Sequence, residues 1–103
     1  MSKLNHSKSE FTCLDSYEAE KLSSIFSKQR DDTLFIYEIA KIIGSEVIVR
    51  LKDGSHHSIM LKDNKNALEL SIFFGNLTQK NGIILETVYS KDKVIIIWNY
   101  RLN

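Results

Sequence analysis

The sequence has no proline, a single cysteine, four glycines and no apolar run longer than residues 94–98. Each shortage closes off a class of protein. Cys13 alone cannot form an intrachain disulfide, which excludes a disulfide-stapled scaffold and suits a reducing compartment. An apolar run that short falls far below the roughly 20 residues that cross a bilayer. The opening residues, MSKLNHSKSEFTC, are polar and lack the apolar centre of a secretory leader. The expected location is therefore cytoplasmic, with no membrane association. The four glycines have no spacing that builds a phosphate-binding loop. Excess charge of one sign is missing as well. Fourteen basic and thirteen acidic residues leave a net charge of +1, which gives no general pull towards nucleic acid or an anionic membrane.

What is present fits one ordinary globular domain: 103 residues, 43% hydrophobic and 26% charged. Eleven Lys stand against three Arg, with thirteen Ile and seven Asn. That bias follows AT-rich coding and points to a low-GC bacterium, its phage or another mobile element.

The clearest structural signal is the stretch 46–61, EVIVRLKDGSHHSIML. Val47, Val49 and Leu51 alternate with Ile48, Arg50 and Lys52, the period of a half-buried strand. Beyond Asp53-Gly54, His57, Ile59 and Leu61 alternate with His56, Ser58 and Met60. Gly54 accepts positive φ without a Cβ clash, so the two runs read as a hairpin. Val47, Val49, Leu51, Ile59 and Leu61 are expected inward, and Arg50 and His56 outward.

The rest of the chain is read around this hairpin. Residues 1–13 read as a flexible polar arm. Residues 14–30 read as a helix, with Asp15 as N-cap, Glu18 at the capping-box position and Leu14 with Ala19 as hydrophobic staple. Ala19, Leu22, Ile25 and Phe26 form its apolar stripe. Residues 33–43, TLFIYEIAKII, fit either a helix or a strand; their Ile, Phe and Tyr content favours a strand at about 34–42. Residues 64–80 are similarly divided, and the Asn66 cap, Glu69 and the Asn81-Gly82 stop favour a helix despite Gly75. Residues 83–89 and 93–100 form a second hairpin around Ser90-Lys91-Asp92, with Val94, Ile96, Trp98, Tyr100 and Leu102 on one face. The expected fold is α+β in the order α-βββ-α-ββ. It has an antiparallel sheet of about five strands and a single domain over residues 14–103. The alternative is a small five-stranded SH3-like or Sm-like barrel with an N-terminal helix.

Chemistry is scarce. His56 and His57 are adjacent in a strand and point to opposite faces, so they cannot chelate one ion together. With three His and one Cys at no useful spacing, no metal and no cofactor is expected. Cys13 lies where a helix dipole would lower its pKa, but no nucleophile signature surrounds it, and packing against Phe11 and Leu14 is the favoured role. The acidic residues sort into caps, boundaries and turns, with no paired carboxylates. No enzymatic activity is expected. Trp98 is read as a continuation of the core face. Tyr37, Arg50, His56, Tyr100 and Arg101 are the candidate partner-binding residues, since aromatic and Arg side chains on a sheet face stack on bases or grip peptides.

Residues 43–61, IGSEVIVRLKDGSHHSIML, resemble the opening half of the Sm-like RNA-binding fold, and VYSKDKVIII, from Val88, resembles its second motif. The resemblance covers about half the chain and would imply a small barrel. Ile59 replaces the second glycine of the first motif, Lys65 and Glu69 stand where base-contacting Asp and Asn would be, and Ser90-Lys91 replaces Arg-Gly. The residues that read RNA do not carry over. The sequence thus points to a non-enzymatic protein-interaction module of inhibitor or adaptor type. A protein partner is expected, and homodimer formation is a further expectation because small Ile-rich sheets expose edges. A nucleic-acid-binding barrel is the alternative.

Overall fold

A computed structural model describes residues 6–27, 36–80 and 82–100, with the side chains of Tyr37 and Tyr100 outside that description. The elements run β1 (Ser7–Thr12), α1 (Ser16–Ser27), β2 (Ile36–Ile43), β3 (Glu46–Leu51), β4 (His56–Met60), α2 (Asn64–Gln79), β5 (Gly82–Ser90) and β6 (Lys93–Tyr100). The fold is α+β, but the six described strands form two three-stranded antiparallel sheets, β1-β6-β5 and β2-β3-β4. They are neither one sheet of about five strands nor a five-stranded barrel.

The β2-β3-β4 sheet is the expected meander, and residues 36–43 of the divided stretch 33–43 are its first strand, residues 33–35 lying outside the described residues. The 46–61 hairpin keeps its register: Val47 faces Ile59, Val49 faces His57 and Arg50 faces His56. Gly54 takes the left-handed φ of 91° at the turn. Val47, Val49, Leu51, Ile59 and Leu61 are all buried, so alternation on this hairpin correctly gives its inward face. His57 departs from the pattern and is exposed, because it lies at the turn end of the hairpin.

The larger correction concerns the expected arm. Residues 7–12 are a strand, pairing antiparallel with β6 so that Phe11 faces Val94 and Ser9 faces Ile96. Phe11 and Cys13 are buried, so residues 7–13 of the expected arm pack with the rest of the domain, while residues 1–5 lie outside the described residues. The alternation was present, with Ser7, Ser9 and Phe11 inward and Lys8 and Glu10 outward, but small polar residues on the inward side hid it. With β1 in place, β6 becomes the central strand of its sheet, which accounts for its apolar residues on both faces.

Both helices begin on aspartate caps. The Asp15 carboxylate accepts the Glu18 amide at 2.9 Å. The Asp63 carboxylate accepts the Asn66 amide at 2.9 Å, so Asp63 is the N-cap expected at Asn66. Asn66 instead turns its side-chain oxygen to the Thr12 amide at 2.9 Å, tying α2 to β1. The capping box expected at Glu18 is not closed. Its Oε1 accepts the Met60 amide at 2.9 Å, while Lys21 donates to the Ser58 carbonyl at 2.8 Å. One turn of α1 thus supplies an acceptor and a donor to the outer edge of β4, in place of a neighbouring strand. Leu14 is exposed and makes no staple.

Gly82 does not stop α2 in a left-handed conformation. It is the first residue of β5, and a Cβ there would overlap the Leu77 side chain, with Leu77 Cγ only 3.1 Å away. Gly75, inside α2, has open space around it, so its cost is one of propensity alone.

The core lies between the inward faces of the sheets and the two helices. Leu22 and Phe26 of α1 and Leu70, Phe74 and Leu77 of α2 are buried there with Val94 and Ile96. Phe73 joins Phe11, Phe26 and Trp98, with ring centroids 5.5, 6.0 and 5.7 Å away respectively.

Phe11→Ala therefore tests whether the N-terminal strand is integral. Loss of a buried Phe ring costs about 3–5 kcal/mol, whereas the same change in a flexible arm leaves stability unaltered. Urea denaturation of the two proteins distinguishes these outcomes.

Candidate functional site

Of the five residues expected to meet a partner, Arg50 and His56 are described with their side chains, and they lie together. Arg50 and His56 are cross-strand neighbours on β3 and β4, and Glu38 of β2 completes their row. Arg50 Nη2 lies 2.8 Å from Glu38 Oε2, so the guanidinium is engaged within the sheet. Tyr37 lies in β2 and Tyr100 ends β6, in the other sheet. Their side chains, and all of Arg101, lie outside the described residues. Trp98 packs against the core, as its position on the inward face of β6 implies.

The hairpin tip carries a small polar chain that pattern reading missed. Ser55 Oγ donates to Asp53 Oδ1 at 2.6 Å and lies 3.2 Å from His57 Nε2. The Ser55 hydroxyl and amide hold the Asp53 carboxyl below its ordinary range. The order of partners argues against nucleophilic chemistry. The carboxylate accepts the serine hydroxyl's hydrogen bond directly and does not orient the imidazole, the reverse of an Asp-His-Ser relay. The group serves as an Asx-type turn lock.

Cys13 is fully buried. Burial, reinforced by the negative charges of Glu18, Asp92 and Asp15, pushes its thiol up to about 12. The lowering expected from a helix dipole does not occur, because desolvation and three carboxylates outweigh it. Among the described residues no three His, Cys, Asp or Glu side chains gather as a metal site, and no helix is long and apolar enough to cross a membrane.

A further recognition feature lies between β1 and α2. A groove of about 380 Å³ is lined by Ser9, Glu10, Phe11, Glu69, Ile72, Phe73, Asn76 and Trp98. Its floor is aromatic, and Trp98 Nε1 donates to Ser9 Oγ at 3.0 Å, fixing the indole against β1. On the rim, Ile72 is 63% exposed, and Leu68, one turn earlier, is 47% exposed.

Among the described residues the strand beside this groove is open on its outer edge. The Cys13 amide donates to the Asp92 carbonyl, on the β6 side. The Thr12 amide and carbonyl point the other way, to Asn66 and to the Lys62 amide. Backbone groups alternate along a strand, so those of Lys8 and Glu10 turn outward like those of Thr12. Among the described residues nothing pairs with them. The groove thus offers both ladder groups and an apolar pocket along one edge. Comparison with protein-family models, curated proteins and solved structures finds no match to this chain.

The Cys13 environment makes a prediction with a definite sign. Between the ordinary thiol pKa near 9 and the folded value of about 12, the unfolded state loses the thiol proton and the native state keeps it. The native state then holds more protons, and stability falls as pH rises through this window. Cys13→Ala removes that part of the slope. Denaturation midpoints between pH 8 and pH 10.5 (about that range) measure it, and a thiol reagent should label the wild type only on unfolding.

Proposed function

We propose that the protein is a non-enzymatic interaction module, of inhibitor or adaptor type, that binds another polypeptide along the β1–α2 groove. The observation that carries this reading is the coincidence of a strand edge at Lys8 and Glu10, with which no described residue pairs, and an apolar pocket holding Phe11, Phe73 and Trp98. An extended segment added to such an edge gains affinity from main-chain hydrogen bonds and specificity from alternate side chains entering the pocket. The buried, protonated Cys13 and the hairpin-tip order Asp53-Ser55-His57 support a role without nucleophilic catalysis. The near-neutral charge of the chain and its single cysteine suit a cytoplasmic protein partner. Nucleic-acid binding draws less support, since Arg50 is paired with Glu38 and the strands form two open sheets.

Ile72→Asp provides the test. Ile72 is largely exposed, so the change leaves the fold intact and places a charge on the groove rim. In affinity capture from native host extract, the wild type and Arg50→Ala should enrich the same polypeptide, with recovery through Ile72→Asp down by about tenfold or more. Capture that is indifferent to Ile72, or sensitive to Arg50 instead, counts against the groove.

A further inference from the structure

We infer that the polypeptide received at this groove is a second copy of the same chain, docked β1 against β1 across a two-fold axis; this rests on the reading of the groove as a protein-binding edge. The argument is one of register and charge. Only residues whose backbone groups face outward can exchange ladder hydrogen bonds, and on the open part of β1 these are Lys8 and Glu10. An antiparallel pair centred on Ser9 sets Lys8 of each copy opposite Glu10 of the other and forms about four backbone hydrogen bonds. The neighbouring registers are disfavoured. Centring on Lys8 opposes two ammonium groups, and centring on Glu10 opposes two carboxylates, both unfavourable between directly facing residues. The sequence Lys8-Ser9-Glu10 is therefore self-complementary in one register only.

The surroundings agree with that geometry. Thr12 is already satisfied by Asn66 and Lys62, which limits the new ladder to the part of β1 before it. The β1-β6-β5 sheet would continue into its copy as six strands, β6 remaining central in each half. A stable interface needs about 800 Å² per partner, more than a short strand alone provides. The α2 rim beside β1 adds to it, since Ile72 lines the groove and is 63% exposed, with Leu68, 47% exposed, one turn earlier on α2. On the opposite face of β1, Glu10 lies 3.4 Å from Lys93. That pair is exposed and weak, and does not prevent Glu10 from meeting a second ammonium.

Charge reversal tests the register directly. Sedimentation velocity of the wild type from about 5 to about 200 µM should show a concentration-dependent dimer. In Lys8→Glu both facing pairs become acidic, and in Glu10→Lys both become basic, so each variant should dimerise at least about tenfold more weakly. An equimolar mixture of the two restores complementary pairs and should form a heterodimer at wild-type concentrations. The double variant Lys8→Glu/Glu10→Lys should likewise recover a homodimer. Trp98 emission confirms that each protein is folded. A wild type that is monomeric throughout overturns the inference. So does a dimer whose affinity is unchanged by either reversal, or a mixture of folded variants that stays monomeric. The broader reading is decided separately: if the wild type is monomeric but Ile72-dependent capture persists, the groove serves a different polypeptide, and if both fail, both proposals fall.

Discussion

The two sheets are held in one structure by the place where the end of β1 meets the end of β4. Cys13 and Leu61 form an isolated antiparallel bridge there. The Leu14 amide donates to the Met60 carbonyl at 3.0 Å, the Lys62 amide to the Thr12 carbonyl at 2.9 Å, and the Leu61 amide to the Ser45 carbonyl at 2.8 Å. Cys13 and Leu61 are both fully buried, so these bonds form away from competing water, where breaking one leaves a costly unpaired group. A buried thiol suits the site, being small, apolar and unable to ionise there. The start of each helix depends on this seam: Asp15 opens α1 directly after it, and Asp63 opens α2 directly after Lys62.

Around the seam, strand edges are closed by side chains as well as by strands. Glu18 and Lys21 serve the outer edge of β4, and Asn66 serves β1 at Thr12. Each supplies what a neighbouring strand would have supplied, at the cost of fixing one long side chain. This closure stops short of Lys8 and Glu10, which makes their exposure informative. An edge protected along its inner half and open along its outer half is a bounded docking site, whereas a fully open edge invites indefinite pairing.

Much of the fold was legible wherever apolar residues alternated strongly. The 46–61 hairpin, the 93–100 strand and the α1 stripe all formed where their periods placed them. What escaped the sequence did so for physical reasons. At β1 the inward residues are Ser7, Ser9 and Phe11, and a strand half made of serine has almost no hydrophobic period to detect. At Glu18 the local pattern favoured a box within the helix, but tertiary structure offered the Met60 amide as a competing donor. At Gly82 the residue type suggested a turn, while the actual requirement was space beside Leu77. The groove escaped for the same reason as β1: it forms only when that strand is set against α2. The expected contact residues rested on side-chain type and outward position, and the pairing of Glu38 with Arg50 depends on the exact β2–β3 register, which residue type does not reveal.

The pairing of β1 with β6 also imposes an order in time. Ser7 faces Trp98, and Phe11 faces Val94, across nearly the whole chain. During vectorial synthesis, α1 and the β2-β3-β4 meander are complete long before β6 leaves the ribosome. β1 is thus made long before its partner, and closing so long a loop brings a contact order that slows this step. Until then Phe11, Phe73 and the still unpaired β1 are exposed together, and the Ser-rich, charge-alternating composition of β1 keeps that waiting strand soluble.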